Sequence, residues 1–518
     1  MRVWKEGDYW LVVSEEPIGA GQRQPELKGS GRSRKLVLTE AGKKQEIPAK
    51  LYKKSFDFST DLTGVFEVKG LKAATAYYYA AFADPESSGE RAQTWELGYQ
   101  QELKFRTQAK KPDKVTFGLY SCHNPYDKHG NLTNMEMWNW FGEILQDRNA
   151  DFVIGGGDQV YSDGRETLSI WEWLRQNKGE LLRKKEAERL QIMLSWYRDI
   201  YRGYWGPLAL RQVLRSFPTY MIWDDHEIMD GWGSYTDEEL SDKLDTIWEW
   251  EDQKTNLGLA KLMFKAAAQV YGEYQHSHNP ATEDGRWDYH YQWGPCAFYA
   301  FDMRGTRDFK RKEFRIMGRE QFQRVKSWLE GEQVKQSEVI FLISPVPMVH
   351  AGSFFVNTLD LNLLGLADDM RDEWEHESNW RERDQLLDAI FKVSHEQKKP
   401  VVFLSGDVHV AAAFSLSQRK YPEARVYQLT SSAISYNTGL IGRGLKLVVH
   451  EEGKLVSHPR KEEEHEEVYF QALHAAFEKN NFGVATVEDG RVRWDLYGSS
   501  GEEDRIVRLK RVIIGKEE

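Results

Sequence analysis

Short apolar runs alternate with longer stretches of helical pattern from residue 115 to residue 404, and no other pattern in the sequence narrows the possible folds as far. The runs cover residues 115–120, 152–154, 220–223, 298–301, 339–343 and 401–404. Strands that alternate with helices are typical of a layered α/β domain. The chain has 518 residues, whereas a single hydrophobic core stops growing at about 250–300 residues. We therefore expect more than one domain, of which one is α/β.

The first 108 residues have a different pattern, because turn-rich stretches instead of helical ones separate their β-prone runs. The runs cover residues 10–13, 35–38, 65–68 and 77–82. Residues 70–79 and 105–107 resemble segments of fibronectin type III-like sandwiches. We therefore predict a β-sandwich of the fibronectin III or immunoglobulin-like kind over residues 1–108, followed by a linker at residues 108–112.

The rest of the chain, residues 113–518, is predicted to form one large domain. It is mostly helical between Glu166 and Tyr271, and residues 236–239 fit a capping box that begins one helix. This pattern predicts a helical insertion over about residues 166–275.

Composition limits the class of partner and the compartment. Lys and Arg number 70 against 81 Asp and Glu, a formal net charge of −11, so binding to nucleic acid or anionic membranes through bulk charge is not expected. Two cysteines cannot build a disulfide scaffold, and the first ten residues lack the pattern of a secretory signal. No stretch approaches about 18 consecutive apolar residues, so no membrane span is expected. We predict a cytoplasmic location, and the sequence does not indicate an oligomeric state.

Polar residues follow four of the apolar runs directly, at residues 121–124, 155–161, 224–227 and 405–409. In α/β sheets, ligands collect outside the carboxyl ends of the strands. Carboxylates that pack together repel one another unless a cation or shared protons offset the repulsion. Four such strand ends that meet at one point therefore indicate a metal centre.

Taken singly, each of these residues has an ordinary structural interpretation. Asp158 could form a turn or cap a helix, His409 could be a hydrogen-bonded core histidine, and Cys122 could be a small buried hydrophobic residue. Cys296 lies inside an apolar run and is interpreted as a core residue. The four segments together favour the metal centre.

Three of these segments, G-D-x-x-Y at residues 157–161, W-D-D-H-E at 223–227 and G-D-V-H at 406–409, resemble motifs of the alkaline phosphatase D (PhoD-like) family of calcineurin-like metallophosphoesterases. The resemblance spans residues 115 to about 410, and the preceding sandwich fits the layout of the family. It implies an α/β fold (α+β by some schemes) in which the sandwich is followed by a four-layer αββα domain with a helical insertion. Residues 481–487 would form a late strand of that domain.

The resemblance also implies two metal ions bridged by Asp158. Cys122, Tyr161 and His409 would complete the site of an Fe³⁺ ion. Asp225 and Asp407 would hold the second ion.

The oxygen-rich ligand set of this second site suits Ca²⁺, with Mn²⁺, Mg²⁺ or Zn²⁺ as alternatives. Whether His350 is a further ligand is left open.

The activity implied by the resemblance is hydrolysis of a phosphate mono- or diester, small or polymeric, by a metal-activated hydroxide that attacks phosphorus. His226 would protonate or polarise the leaving group. Arg304 would either fork onto a phosphate or pair structurally with Asp302. The alternative is a non-catalytic metal-binding scaffold or binding protein on the same fold.

Tryptophan is unusually abundant, with 19 residues in the chain, of which ten lie between residues 138 and 250. They could pack the helices of the insertion, or Trp232 and its neighbours could form an aromatic wall beside the metals.

Overall fold

The computed structural model describes residues 1–19, 24–30, 33–84, 103–127, 129–133, 135–164, 169–245, 252–350, 371–436, 451–455, 467–499 and 505–515. The chain divides into two compact units. The N-terminal unit comprises residues 1–112 with 212–218, and the large unit comprises residues 113–211 and 219–518.

The N-terminal unit contains two antiparallel sheets. Its strands are β1 (Gly7–Ser14), β2 (Gln24–Lys28), β3 (Lys35–Glu40), β4 (Lys43–Ile47), β5 (Lys50–Phe56), β6 (Ala76–Ala83) and β7 (Lys104–Arg106). The strand orders are β5-β1-β6-β7 and β2-β3-β4. Val12 and Phe82 from the first sheet share a buried core with Leu36 and Leu38 from the second. The N-terminal unit is therefore a β-sandwich.

One predicted strand of this unit, at residues 65–68, is wrong. These residues pair with no strand in the part of the chain that the structure describes. Val65 is exposed, and Phe66 packs only partly against the ring of Phe56. Because cross-strand contacts supply most of the stability of a strand, β propensity alone did not produce one here.

The large unit contains the helices and the two larger sheets. The helices are α1 (Glu136–Asp147), α2 (Ile170–Leu181), α3 (Glu186–Tyr204), α4 (Leu208–Ser216, which the division into units cuts), α5 (Asp237–Asp245), α6 (Gln253–Tyr274), α7 (Gly318–Leu329), α8 (Glu332–Gln336) and α9 (Trp380–Gln397). None of the helices in the described part of the chain is long and apolar enough to cross a membrane.

Its strands continue the numbering of the sandwich. They are β8 (Lys114–Tyr120), β9 (Phe152–Gly156), β10 (Thr219–Ile222), β11 (Tyr289–Trp293), β12 (Cys296–Ala300), β13 (Val339–Ile343), β14 (Pro400–Ser405), β15 (Ala411–Gln418), β16 (Arg425–Thr430), β17 (Glu452–Leu455), β18 (Val468–Phe477), β19 (Asn481–Glu488), β20 (Arg491–Ser499) and β21 (Ile506–Ile514). The six predicted strands of this unit and the late strand at residues 481–487 are confirmed.

Both large sheets are mixed. The six-stranded sheet has the order β10-β9-β8-β19-β20-β21, and the eight-stranded sheet has the order β11-β12-β13-β14-β16-β15-β18-β17. Strands β8, β9 and β10 are parallel, as are β12, β13, β14 and β16, while the remaining pairs are antiparallel. The four polar segments follow parallel strands, β8, β9 and β10 in one sheet and β14 in the other, so within each sheet they lie at one edge.

The two sheets face each other across a common core. The ring of Phe117 on β8 lies 5.5 Å from that of Phe298 on β12 and 5.2 Å from that of Phe341 on β13. Helix α1 covers the outer face of the six-stranded sheet, where Phe141 packs against Phe482 at 4.8 Å. Helices α7 and α9 cover the eight-stranded sheet through a second core that includes Phe322. The large unit therefore has the expected four layers, α, β, β and α.

Helices α2 to α6 lie within the predicted insertion, where β10 interrupts them. The capping box predicted for α5 is confirmed, because the Thr236 amide donates to Glu239 Oε2 at 2.8 Å and the Glu239 amide donates to Thr236 Oγ1 at 3.2 Å. Trp173 packs on Trp196 and Trp223 stacks on Tyr271 at 4.5 Å. These contacts support the interpretation that the tryptophans of this region pack the insertion against its neighbours. Trp248 and Trp250 lie outside the described residues.

Candidate metal centre

Glycines allow the four polar segments to approach one another closely. A Cβ atom on Gly406, after β14, would lie 2.4 Å from Ser121 Cβ, after β8. Gly157, after β9, has a φ of +109°, and a Cβ there would lie 3.0 Å from Asp224 Cβ, after β10. Side chains at either position would separate the strand ends, so these glycines are needed for the segments to converge.

Four of the predicted ligands have left-handed backbone conformations. The φ angles are +55° at Cys122, +55° at Asp158, +63° at Asp407 and +52° at His409. Non-glycine residues rarely adopt this conformation, and it persists where surrounding structure fixes it, often at functional sites. The conformation turns the side chains that follow strands β8, β9 and β14 toward a common point.

Four carboxylates form the centre of the site. One oxygen from each of Asp158, Asp224, Asp225 and Asp407 lies within 4.8 Å of the others. Burial raises the pKa of Asp158 and of Asp407 well above the usual range, and it raises that of Asp224 to about 6. The site therefore favours bound protons or cations over four bare charges.

Asp224 was not among the predicted ligands. The sequence shows two adjacent acids, Asp224 and Asp225, but the motif singled out only the second. Both carboxylates join the cluster because Asp225 begins a short 3₁₀ helix at Asp225–Glu227. Glu227 stabilises this turn through two hydrogen bonds. Its Oε2 accepts one from the amide of Asp224 at 2.9 Å, and its Oε1 accepts one from the amide of Gln159 at 2.7 Å.

Sulfur and phenol donors lie on the other side of Asp158. Its Oδ2 is 3.5 Å from Cys122 Sγ and 3.3 Å from the hydroxyl of Tyr161. Burial raises the pKa of the Cys122 thiol and of the Tyr161 phenol well above their usual values. The ring of His409 stacks on that of Tyr436 at 3.8 Å, and burial lowers its pKa to about 3, so the imidazole is neutral.

The donors that remain without hydrogen bonds fit bound metal ions. Among the described residues, Asp158 Oδ1, Asp224 Oδ2, Asp225 Oδ1 and His409 Nδ1 are buried and make none. Buried polar atoms are nearly always satisfied, so such a group of exceptions indicates an absent partner. Carboxylate oxygens, a neutral imidazole, a thiol and a phenol are all recognised metal ligands once deprotonated.

His226 lies beside these donors and is held by a carboxylate that the sequence analysis did not identify. Its Nδ1 is 2.7 Å from Asp163 Oδ1, and its ring stacks on Tyr161 at 4.2 Å. Burial alone would lower the pKa of His226, but the carboxylates of Asp163, Asp225 and Asp158 outweigh it and hold that pKa well above its usual range. The one signal for Asp163 in the sequence is its position two residues after the motif tyrosine.

Arg304 is placed differently from both of its predicted arrangements. Its side chain is fully buried; Nε donates to Asp224 Oδ1, Nη1 donates to Asp372 Oδ2 at 2.8 Å, and Nη2 lies 3.5 Å from Asp225 Oδ1. The Asp302 carboxylate accepts the main-chain amide of Arg304 at 3.1 Å and makes no ion pair with its guanidinium among the described contacts, so the predicted structural pair of the side chains is wrong. A direct fork onto phosphate would require the ion pairs with the carboxylates to break.

The guanidinium instead balances the charge of the acidic cluster. Burial alone would raise the pKa of Asp225, but the charges of Arg304 and His226 outweigh that effect and lower the pKa to about 2. Asp225 is therefore the carboxylate of the pair that loses its proton at the lower pH, before its neighbour Asp224.

Two further histidines lie near the predicted ligands: His350 acts electrostatically on His409, and His123 follows Cys122 in the chain. His350 is buried, its Nε2 makes no hydrogen bond within the described residues, and burial lowers its pKa to about 4. His123, the residue after Cys122, is fully buried, and both of its ring nitrogens have partners, Ser435 Oγ at 2.6 Å and the carbonyl of Tyr204 at 3.0 Å.

Comparison with known proteins matches this chain to a family, a curated relative and a solved structure. A family model described as PhoD-like phosphatase matches residues 117–495. An uncharacterized protein of Saccharomyces cerevisiae is 23% identical over 364 residues, which cover 57% of this chain and 49% of that protein. The chain thus spans about half the length of this curated relative. The solved structure of PhoD has a TM-score of 0.61 at 15% identity, over 99% of this chain and 84% of that one, a likeness that shows the fold.

Proposed function

This chain belongs to the PhoD-like phosphatase family, and from that membership we propose that it is a metal-dependent hydrolase of phosphate mono- or diesters. The observation that carries the proposal is the cluster of Asp158, Asp224, Asp225 and Asp407, whose oxygens lie within 4.8 Å of one another. A binuclear metal site needs such a set, because two adjacent cations require several anionic ligands that reach both. The likeness of fold to PhoD supports the same conclusion.

We assign the donors to two ions. Cys122, Tyr161 and His409 would hold Fe³⁺ together with Asp158, which is shared. Asp225 and Asp407 would hold the second ion, proposed to be Ca²⁺. When bound, the ions would place positive charge on the phosphoryl oxygens and lower the pKa of a water molecule.

Asp224 adds a carboxylate to the second site, so oxygen ligands dominate there, as Ca²⁺, Mg²⁺ and Mn²⁺ prefer.

His226 is proposed to donate a proton to the oxygen of the leaving group. Asp163 contacts its Nδ1, which leaves Nε2 for the substrate, and the stacked ring of Tyr161 limits its rotation. The carboxylates around it favour the imidazolium form that a proton donor needs. A group with this role has no use in a scaffold without turnover, so the geometry favours the hydrolase over the non-catalytic alternative.

Arg304 is proposed to act through the ligands and not on the phosphate itself. It is buried behind the cluster, where its ion pairs fix the orientation of Asp224 and Asp225. We keep it as a positioning residue of the active site.

The test of the proposal is replacement of Asp158 and Asp225. We expect Asp158→Asn and Asp225→Asn each to lower hydrolysis of nitrophenyl phosphate and of its diester by at least about 100-fold, because loss of a group that merely orients a metal ligand already costs about 10–100-fold. Metal content, measured by mass spectrometry, should fall in both variants.

The matched control is Asp199→Asn, which removes an exposed carboxylate that pairs with Arg202 on α3. Its activity and metal content should equal those of the unmodified protein. Full activity of either site variant would refute the metal assignment. Failure of the metal-loaded protein to hydrolyse any member of a broad phosphoester panel would instead support the non-catalytic alternative.

The identity of the first ion has a separate, optical test. A tyrosinate bound to Fe³⁺ gives a visible absorption band, which Tyr161→Phe should abolish. A colourless, iron-free and fully active protein would remove Tyr161 and Cys122 from the proposed ferric site. The cytoplasmic location and the lack of nucleic-acid binding through bulk charge stay predictions.

A further inference from the structure

Four arginine side chains of the large unit surround one carboxylate, that of Asp495 on β20. Arg511 on β21 pairs with both of its oxygens, at 2.6 and 3.1 Å. Arg493 lies 3.4 Å from it, Arg148 lies 3.7 Å from it, and Arg508 lies 3.9 Å from it. We call these four residues the arginine cluster.

The cluster lies on the outer face of the six-stranded sheet. The neighbours of Asp495 along β20, Trp494 and Leu496, are buried in the core between the two sheets. Because successive side chains of a strand point to opposite faces, Asp495 points outward, toward the side that α1 covers. Arg148 immediately follows α1 and donates to the hydroxyl of Tyr497 at 2.7 Å on the same face.

The positive charge of the cluster exceeds the negative charge by about three. The Asp495 side chain is 3% exposed, whereas the four arginine side chains are between 30% and 46% exposed. One buried carboxylate can neutralise one guanidinium, and the others repel one another at short range. This concentration of positive charge stands out in a chain whose net charge is −11.

Arg493 has one buried nitrogen whose capacity to donate is not filled. Its Nη2 donates to Thr486 Oγ1 at 3.3 Å, while its Nε lies 3.4 Å from Asp495 Oδ2 and makes no hydrogen bond within the described residues. Guanidinium groups match the oxygens of phosphate in geometry and in charge. Four of them within 3.9 Å of one carboxylate can reach the same small anion.

We propose that the arginine cluster binds a compact multivalent phosphate anion of the pyrophosphate class, at a site separate from the metal centre. An extended acidic peptide fits less well, because the side chains on one face of a strand repeat only every ~6.6 Å. The inference depends on the charges and distances of this face and not on the proposed hydrolysis.

The test uses the full, metal-loaded chain and methylenediphosphonate, an analogue of pyrophosphate that phosphatases do not cleave. Calorimetric titration of Arg493→Gln/Arg508→Gln should show one binding event weakened at least about tenfold, as expected when two charge-assisted hydrogen bonds are lost. Binding at the metal centre is common to all variants, so the difference between them reports on the cluster. Hydrolysis of nitrophenyl phosphate should be unchanged.

The control pair Arg183→Gln/Arg419→Gln removes the same two charges from exposed positions elsewhere in the large unit. It should leave the affinity within about twofold of the original. Equal weakening in both pairs would show that only bulk charge matters and would overturn the proposal, as would the absence of a second binding event in the unmodified protein.

A variant that is expected to bind the anion more tightly distinguishes an effect on the binding site from an effect of misfolding. Asp495→Asn removes the one carboxylate that competes with the anion and keeps the size of the side chain. Affinity should rise several-fold, which a misfolded protein could not show. If neither Asp495→Asn nor the double arginine variant changed the affinity for methylenediphosphonate, the proposed site would be refuted. If hexaglutamate bound more tightly than methylenediphosphonate, the ligand of the cluster would be an acidic protein partner and not a phosphate anion.

Discussion

Cys122, Asp158, Asp407 and His409 all have left-handed backbone conformations, which cost about 1–3 kcal/mol each in residues other than glycine. The same residues were selected from sequence motifs as metal ligands. This backbone strain is explained if metal binding requires the side-chain directions that the left-handed conformation gives. The donors without hydrogen bonds point the same way, because metal ions would satisfy them.

Replacement of Asp163 by Asn tests the orientation of His226. We expect kcat for nitrophenyl phosphate to fall by about 10–100-fold with little change in KM, since Asp163 holds the imidazole and touches no substrate. Activity falls as pH rises through the pKa of a proton donor. The loss of the Asp163 charge lowers the pKa of His226, so the falling limb of the pH–kcat profile should move to lower pH.

A structural effect of Asp163→Asn would lower activity equally at every pH. An unmoved pH profile would therefore contradict the assignment of His226 as the proton donor. Asp199→Asn again serves as the control, because it changes an exposed carboxylate outside the site.

At the level of residues, the sequence could predict the chemistry of the site but not every member of it. Asp158, Asp225 and Asp407 follow strands directly, so their convergence could be inferred from motif and topology. Asp163 lies beyond a strand end, and its contact with His226 depends on how two loops fold. The burial of Arg304 depends on Asp372, which is 68 residues away in sequence.

At the level of elements, β19 joins distant parts of the chain. It lies next to β8 in the six-stranded sheet and pairs on its other side with β20. The indole of Trp494 on β20 packs over Gly483 of β19, where a Cβ atom would lie 1.8 Å from the ring. The absence of a side chain at this position is what lets the two strands pair beneath the indole.

The variant Gly483→Ala should destabilise the protein by about 1–3 kcal/mol, because the rigid indole must move to admit a methyl group. Denaturant unfolding followed by tryptophan fluorescence measures this change. The matched control is Gly258→Ala, at an exposed position in the second turn of α6, where a Cβ atom would meet nothing within 4 Å. Alanine should stabilise that helix by about 0.5–1 kcal/mol. Equal effects of the two substitutions would refute the packing argument.

Element prediction from the sequence was most accurate where burial is continuous. All five residues of β13 are buried, and a short continuous apolar run of this kind is typical of a strand that is covered on both faces. The segment at residues 65–68 has a similar apolar content but pairs with no strand among the described residues. The antiparallel position of β19 between β8 and β20 could not be inferred from local pattern, because pairing between distant segments leaves no trace in either one.

At the level of the whole molecule, metal binding should couple to pH. Burial raises the pKa of Asp224 to about 6 and that of Glu227 to about 7. The unfolded chain releases the protons of these groups near pH 4, so without cations the folded protein holds more protons than the unfolded chain between about pH 4 and pH 7. Their contribution to the stability of the metal-free protein therefore falls as pH rises through that window.

Metal ions would replace the protons on the ligand carboxylates Asp158, Asp224 and Asp407, whose pKa values burial raises, so the metal-dependent increase in Tm should be larger at pH 8 than at pH 5. Scanning calorimetry with and without a chelator, at both pH values, measures this difference. Titrations elsewhere in the molecule are common to both samples and cancel. An increase of the same size at both pH values would argue against metals at the acidic cluster.

The position of β19 also has a consequence for how the protein is made. Thr116 of β8 contacts Thr486 of β19 from 370 positions away in the chain, and Asn481 donates to the carbonyl of Ser432, whose hydroxyl lies 3.1 Å from Cys122 Sγ. At about 5–20 residues per second, a ribosome adds β19 roughly 20–70 s after β8. For that interval the nascent chain carries an open sheet edge, and the contact that holds Ser432 against Cys122 has not yet been synthesised.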